Sequence, residues 1–181
     1  MPSSSKGPVL AIADSVEQAI GAVCKVVIVG TTVILLVALA TNVVVRYVLE
    51  GGGIPWVFEL TEQLFPWLIA AGIILAVQHG AHIAVDLLYD ALSPNGARVL
   101  AVSIHLLVAV SYAILLNAVL SVADIVAIER SPVLQVSRSW GYYALAFAVG
   151  GTALGNLIIA LRVAILGIDT LPKASPEESP V

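Results

Sequence analysis

Four apolar runs without charge constrain the fold of this 181-residue chain more than any other feature. Lys25 and Arg46 bracket the first run, Val26–Val45, which as a helix is about 30 Å long and so matches the hydrocarbon core of a bilayer. The second run, Leu64–Val77, reaches that length if its helix begins near Pro55. A helix satisfies each backbone group within its own segment, as the bilayer interior requires. The sequence therefore predicts an all-α integral membrane protein with four spans, over residues 26–48, 56–79, 97–122 and 140–166.

Composition excludes several functional classes. The chain is 60% hydrophobic and 11% charged, with a mean hydropathy of +1.03, outside the range of soluble domains. The net charge of −4 and the lack of a basic cluster argue against a nucleic-acid partner. The single cysteine, Cys24, cannot form an internal disulfide or a thiolate metal site, and we expect no cofactor. Because Asp14 and Glu17 interrupt the N-terminal region, we expect no cleavable signal peptide. A single membrane domain over residues 1–181, without the equipment of an enzyme, is the resulting prediction.

Two further segments have helical periodicity but are unsuited to span. Residues 9–23 place Asp14 and Glu17 opposite an apolar face, which predicts an N-terminal interfacial helix that runs into the first span. A frayed terminus is the alternative. Residues 81–92 place His82, Asp86 and Asp90 on one face, which predicts a short amphipathic surface helix between spans two and three; its polar side would meet water or a partner. Residues 172–181 are predicted to form a polar tail.

The distribution of Lys and Arg beside the spans indicates the orientation. With the N-terminus inside, five basic residues lie on the cytoplasmic side and three on the outer side. This weak bias predicts that both termini are cytoplasmic.

Three charged residues lie at one membrane face. Arg46 ends the first span, and Glu59 and Glu62 lie one helical turn apart near the start of the second. A charge this near the hydrocarbon is costly and usually has a partner. We therefore predict a structural ion pair between Arg46 and one of the two glutamates. The alternative is a coupling site of a small proton- or cation-driven transporter.

Aromatic and small residues mark anchoring and packing positions. Trp56, Trp67 and Trp140 are predicted to anchor the helices at the membrane interface. Gly151 and Gly155 form a GxxxG pattern in the last span, which permits close helix packing.

The histidines leave a third possibility open. His79 and His82 are three residues apart, a spacing that could hold a haem or a metal, and His105 lies about two turns into the third span. A four-helix membrane haem protein normally pairs histidines on facing helices, so at most one such site is conceivable here. The plainer interpretation of His82 is a local polar pair with Asp86.

The order of residues between positions 46 and 88 resembles a known family. The residues that carry this resemblance are Arg46-Tyr47, Trp56, Glu59, Glu62, Trp67, Gly72, His82-Ile83 and Val85-Asp86-Leu87. Together with the length, the four spans and the surface helix, they resemble the small permease subunit, the Q-type component, of tripartite ATP-independent periplasmic (TRAP) transporters. Pro66, which should kink the second helix, departs from that pattern, as does Gln135-Val136-Ser137 ahead of Trp140, where a proline is customary.

The resemblance implies a division of labour in the bacterial inner membrane. A periplasmic solute-binding protein captures an organic acid, a large M-type permease subunit moves it with an ion gradient, and the small subunit packs against the large one as a scaffold within the membrane lipids. The sequence thus predicts a scaffold subunit. A self-contained transporter using Glu59 or Glu62 and a membrane haem protein are the alternatives.

Overall fold

The computed structural model describes residues 8–48, 52–79 and 92–170. Four helices are long and apolar enough to cross a membrane, so the all-α membrane class is confirmed. They are α1 (Pro8–Val48), α2 (Pro55–Gln78), α3 (Pro94–Ile125) and α4 (Ser139–Leu166), with short 3₁₀ turns at Val126–Ile128 and Ile168–Thr170. The surface helix predicted over residues 81–92, with His82, Asp86 and Asp90, falls outside the described residues except for its last position, as does the tail at 172–181.

Prolines begin α2 and α3. Pro55 and Pro94 each occupy a first helical position, where the missing N–H costs no hydrogen bond. Ser93 caps α3 by accepting the N–H of Gly96 on its hydroxyl at 3.3 Å. Pro66 lies inside α2, which continues through it with one backbone hydrogen bond fewer.

The N-terminal segment is not a separate helix. Residues 9–23 form the first turns of α1, which runs unbroken for 41 residues and is therefore about 60 Å long. Leu10 and Ala13 of this segment are buried against the rest of the chain. The segment predicted to lie in the membrane surface is thus a continuous extension of the first span.

The four long helices of the described residues pack in the order α1, α2, α4, α3, so α4 lies between α2 and α3. α4 also touches the first part of α1. Because α2 and α4 begin at the same end of the molecule, they run parallel. α4 is the most buried of the four, because it packs between α2 and α3, and small residues such as Ala144, Ala148 and Gly155 let these helices approach it.

Two ends of the molecule are useful to name. The turn end comprises residues 42–48, 52–62 and 123–142, where α1 meets α2 and α3 meets α4. The terminal end comprises residues 8–21, 75–79, 92–105 and 156–170. The polar and charged contacts described next are concentrated at these ends.

Candidate functional site

Glu59 lies at the turn end and binds the segment that joins α3 to α4. Its carboxylate accepts the backbone N–H of Val133 at 2.9 Å and that of Leu134 at 2.7 Å. Two charge-assisted hydrogen bonds to adjacent amides hold this turn against α2. Nothing in the residue pattern predicts this contact, because the two amides are backbone groups and lie more than seventy positions from Glu59.

The turn that receives Glu59 has a defined geometry. An isolated antiparallel bridge joins Arg130 to Ser137, and the N–H of Ser131 donates to the carbonyl of Val136 at 2.9 Å. Gln135 adopts a left-handed backbone with φ of +56°, and its carbonyl accepts a hydrogen bond from Arg130. A residue with a side chain in this region costs energy, so the surrounding contacts must hold the turn in place.

The structure does not bring Arg46 to Glu59 or Glu62. Arg46 is exposed, and its guanidinium lies 5.9 Å from the ring centre of Tyr47 in the same helix. Among the described residues, ion pairs join Arg138 to Glu129 and Arg162 to two acids, with none at Arg46. The physical reason is that the Val133 and Leu134 amides occupy the Glu59 carboxylate, while Arg46 faces outward.

Glu62 is exposed beside Arg138 instead. Both line a cleft of about 260 Å³ between α2 and α4, together with Pro66 and Tyr142. Arg138 donates to Glu129 at 2.8 Å, and this hydrogen bond, more than the accompanying charge attraction, raises the pKa of Arg138 above its ordinary value. The side chains of Arg138 and Glu129 keep 63% and 53% of their exposure, so the pair lies at the exposed rim of the turn end.

Asn42 closes the joint between α1 and α2. Its side-chain oxygen accepts the N–H of Ile54 at 2.6 Å while the residue is only 6% exposed. The preceding Gly53 has φ of +90°, and a Cβ there would lie 3.2 Å from the same oxygen. Only glycine fits this position without strain.

The most buried charged cluster among the described residues lies at the terminal end, on the face predicted to be the polar side of an interfacial helix. Arg162 of α4 donates to Asp14 at 3.0 Å and to Glu17 at 2.5 Å, both on α1. The three side chains keep only 20–24% of their exposure. They line a cleft of about 460 Å³ with Leu10, Gln18, Leu166 and Thr170.

Two further contacts support this cluster. Gln78, the last residue of α2, donates from its side chain to the carbonyl of Glu17 at 3.0 Å. Arg98 of α3 donates to the carbonyl of Ala164 in α4. All four helices are therefore tied together by polar side chains at the terminal end.

A buried polar contact joins α3 to α4. Nδ1 of His105 lies 2.8 Å from the side-chain oxygen of Asn156, whose amide donates to the carbonyl of Thr152 at 2.9 Å. All three residues are at least 90% buried. Hydrogen bonds of this kind fix the rotation of one membrane helix against another.

The described histidines do not form a haem pair. His79 is at the end of α2, where its Nδ1 lies 2.7 Å from the carbonyl of Leu75, whereas His105 faces α4. His82 lies outside the described residues. Within the described part of the chain, no group of three or more metal-ligating side chains is close enough to hold an ion.

The two glycines of the GxxxG pattern face α2. A Cβ at Gly151 would lie 2.5 Å from Cδ1 of Ile74, and one at Gly155 would lie 3.3 Å from Cγ1 of Val77. The missing side chains let α2 and α4 approach closely along this stretch.

The three tryptophans have different surroundings. Trp67 is half-buried between α2 and α4, with its ring centre 5.0 Å from that of Trp140 and 5.9 Å from that of Phe147. Trp56 and Trp140 are about two-fifths exposed at the turn end. Trp67 is thus a packing residue as well as a predicted anchor.

Comparison with known proteins gives two matches. Residues 25–166 match the family described as tripartite ATP-independent periplasmic transporters, DctQ component. The chain is 36% identical over 170 residues to the uncharacterized protein y4mM of Sinorhizobium fredii (strain NBRC 101917 / NGR234), and the alignment covers 92% of this chain. The chain spans about a third of the length of this curated relative.

Proposed function

Because the chain belongs to the DctQ component family of tripartite ATP-independent periplasmic transporters, we propose that it is the small scaffold subunit of such a transporter. In this role it packs against the large permease subunit in the bacterial inner membrane, and a periplasmic solute-binding protein supplies an organic acid. Family membership makes the chain a multi-pass transporter component. The scaffold role, the organic acid and both partners are the proposal.

The main support for the proposal is that the buried polar residues of the described chain are uncharged and mostly hydrogen-bond within the chain itself. They are Thr31, Asn42, His105, Ser139, Thr152 and Asn156, with no lysine, arginine or acid among them. Thr31, Asn42, His105, Ser139 and Asn156 hydrogen-bond within the chain, to their own helix, a neighbouring helix or a turn. A site for an organic anion within this chain requires positive charge or free helix N-termini enclosed between the helices near the bilayer centre. The described spans are instead built for contact between helices.

The position of Glu59 also favours a scaffold over a self-contained transporter. Its carboxylate is bound by two amides of a turn at one end of the molecule, away from the centre of the spans. A coupling carboxylate must exchange its proton or cation in each cycle, whereas this one maintains a fixed contact. We therefore assign Glu59 a bracing role and Glu62 none.

The test is co-purification followed by uptake. The full chain is expressed with its large subunit, solubilised in mild detergent and isolated through a tag on the small chain. We expect the large subunit to co-purify, and we expect proteoliposomes with the isolated small chain to show no solute uptake. Uptake by the isolated chain would contradict the scaffold role.

Neutral variants separate bracing from coupling. Glu59→Gln should lower the yield of the complex, and the complex that does assemble should transport normally. Glu62→Gln is the matched control, one turn away and exposed, and should change neither. Full assembly with loss of ion-driven uptake in either variant would favour the coupled transporter.

We also propose that both termini are cytoplasmic and that His82, Asp86 and Asp90 form the polar face of a surface helix at that side. Single cysteines at Asp90 and Leu87, in a background without Cys24, should differ in labelling by an impermeant thiol reagent applied from inside. Equal labelling of the two positions, or labelling from the periplasm, would overturn this placement.

A further inference from the structure

The packing of α1 against α2 and α4 places Lys25 at an unexpected depth. Its neighbour Cys24 is fully buried in a cluster with Ala71 and Ile74 of α2, and Phe147 of α4 packs against the same cluster. The level of Lys25 along the molecule is therefore that of Phe147.

Phe147 lies near the centre of the uncharged part of α4. Arg138 and Arg162 bracket this part, about 14 Å and about 22 Å away along the helix axis. The matching uncharged stretch of α3, residues 99–123, covers the same levels, because the Ser139 hydroxyl donates to the carbonyl of Ala123 near one limit and Arg98 donates to α4 near the other. Together, these uncharged stretches of α3 and α4 form one apolar layer. Phe147 and Lys25 lie within about one helical turn of the middle of this layer.

The uncharged run of α1 is displaced along the helix axis relative to this apolar layer of α3 and α4. Glu17 is level with Gln78 and Asn42 is level with Ile54, so the pairing of α1 with α2 is fixed at both ends. The uncharged run of α1, Val26–Val45, therefore starts near mid-depth and extends toward the turn end. Because half the hydrocarbon thickness is about 15 Å, the four-carbon stem of Lys25 is too short to bring its ammonium group to either surface.

Lys25 points away from the rest of the subunit. It is exposed, and no acid among the described residues pairs with it. Val29 and Leu36 follow one and three turns later on the same face, with 62% and 67% of their surface exposed. An ammonium group on an outward face at this depth is expensive in lipid, and charges within membrane spans almost always face protein or a water-filled cavity.

We propose that the outward face of α1 that contains Lys25, Val29 and Leu36 contacts the large permease subunit, and that Lys25 pairs there with a carboxylate on a membrane helix of that subunit. This inference rests on the proposed function. Charge complementarity indicates what binds this face of α1. Val29 and Leu36 are suited to contact an apolar membrane helix, and the Lys25 ammonium group needs a carboxylate on that helix. A second copy of this chain fits less well, since the acids among the described residues lie toward the two ends.

Three substitutions at one position test the charge. Lys25→Met should lower the amount of large subunit that co-purifies about fivefold and Lys25→Glu about tenfold or more, while Lys25→Arg stays within about twofold of the wild type. Lys25→Met is the decisive variant, because a lysine facing lipid would be replaced by methionine at no cost. The isolated variants should unfold at the wild-type temperature in detergent, since Lys25 is exposed and forms no ion pair with the described residues.

Matched tryptophan variants test the face. Val29→Trp on α1 should reduce co-purification, whereas Leu107→Trp on α3, at the opposite edge of the row of helices and 69% exposed, should not. Lys25→Cys, in a Cys24→Ala background, should resist impermeant thiol reagents applied from either side to membranes that contain the whole complex.

The outcomes separate the two proposals. If the wild-type chain retains no large subunit, the proposed function fails. If it retains the large subunit and Lys25→Met and Lys25→Glu do so equally well, this inference alone fails. Labelling of the cysteine at position 25 from the aqueous phase would show that the subunit is tilted until this residue reaches the surface, which also overturns it.

Discussion

The two ends of the molecule are held together by different chemistry. At the terminal end, the charged side chain of Arg162 reaches from α4 to Asp14 and Glu17 of α1, and all three are mostly buried. At the turn end, single side chains bind backbone groups: Glu59 binds two amides of the α3–α4 turn, and Asn42 binds the amide of Ile54.

The difference follows from what each end must join. Chain connections already hold α1 beside α2 and α3 beside α4 at the turn end, so Asn42 has only to fix the shape of its own turn, and Glu59 adds a tie from α2 to the α3–α4 turn. At the terminal end, α1 and α4 are separated by more than 140 positions and share little other contact. Only long side chains of opposite charge can bridge that gap, and the structure places them there.

The largest effect on stability is expected from a substitution that disrupts the charged cluster at the terminal end. Arg162→Ala leaves Asp14 and Glu17 without their shared arginine and should lower the free energy of unfolding by about 2–3 kcal/mol, below the ~3–5 kcal/mol typical of fully buried pairs, because the side chains stay partly exposed. Denaturant unfolding of the subunit in detergent measures this value. A variant with leucine at all three positions should recover most of the loss, and failure to recover would show that the cluster does more than balance charge.

The next test concerns a helix contact that lies midway between the two ends. Gly151→Ala puts a methyl group 2.5 Å from Cδ1 and 2.7 Å from Cγ1 of Ile74, and overpacking of this kind should cost about 1–3 kcal/mol. The adjacent Gly150→Ala is the control, since its nearest neighbour would be Leu116 at 3.8 Å and the change should be neutral or slightly stabilising. Equal stabilities for the two variants would mean that α2 and α4 are not held closely together.

A smaller effect is expected at the turn end. Asn42→Ala removes the acceptor for the Ile54 amide and should cost about 1 kcal/mol, with Asn42→Asp, which keeps an acceptor oxygen, closer to the wild type. Hydrogen exchange of the residue 52–54 amides, compared with that of α4, locates the change. A loss as large as that of Arg162→Ala would abolish the distinction between the ends.

The smallest effect concerns the exposed ion pair. Glu129→Gln removes the partner of Arg138 where both side chains are more than half exposed, so water and salt already weaken the attraction. We expect the unfolding temperature to stay within experimental error of the wild type at physiological salt. A clear destabilisation that disappears in high salt would show that surface charge contributes at the turn end.

Features set by neighbouring residues in the chain could be predicted from the sequence, whereas contacts between distant residues could not. The four helices follow from the apolar runs, and the close packing at Gly151 and Gly155 follows from a local pattern. The partner of Glu59 could not be inferred, because it consists of backbone amides in a turn whose shape depends on the left-handed Gln135. The partners of Arg162 were missed because periodicity correctly placed Asp14 and Glu17 on one helix face but cannot show which other helix covers that face.

The order in which the helices pack also has a consequence for synthesis. The ribosome releases α1 and α2 first, and they can form their hairpin as soon as residue 78 has left the translocon. α3 then enters the bilayer without its main neighbour, because α4 follows it in the chain and separates it from α2. Until α4 inserts, the imidazole of His105 lacks its contact with Asn156. Insertion of α4 therefore completes the packing of these four helices, and α3 has the least support in the interval before it.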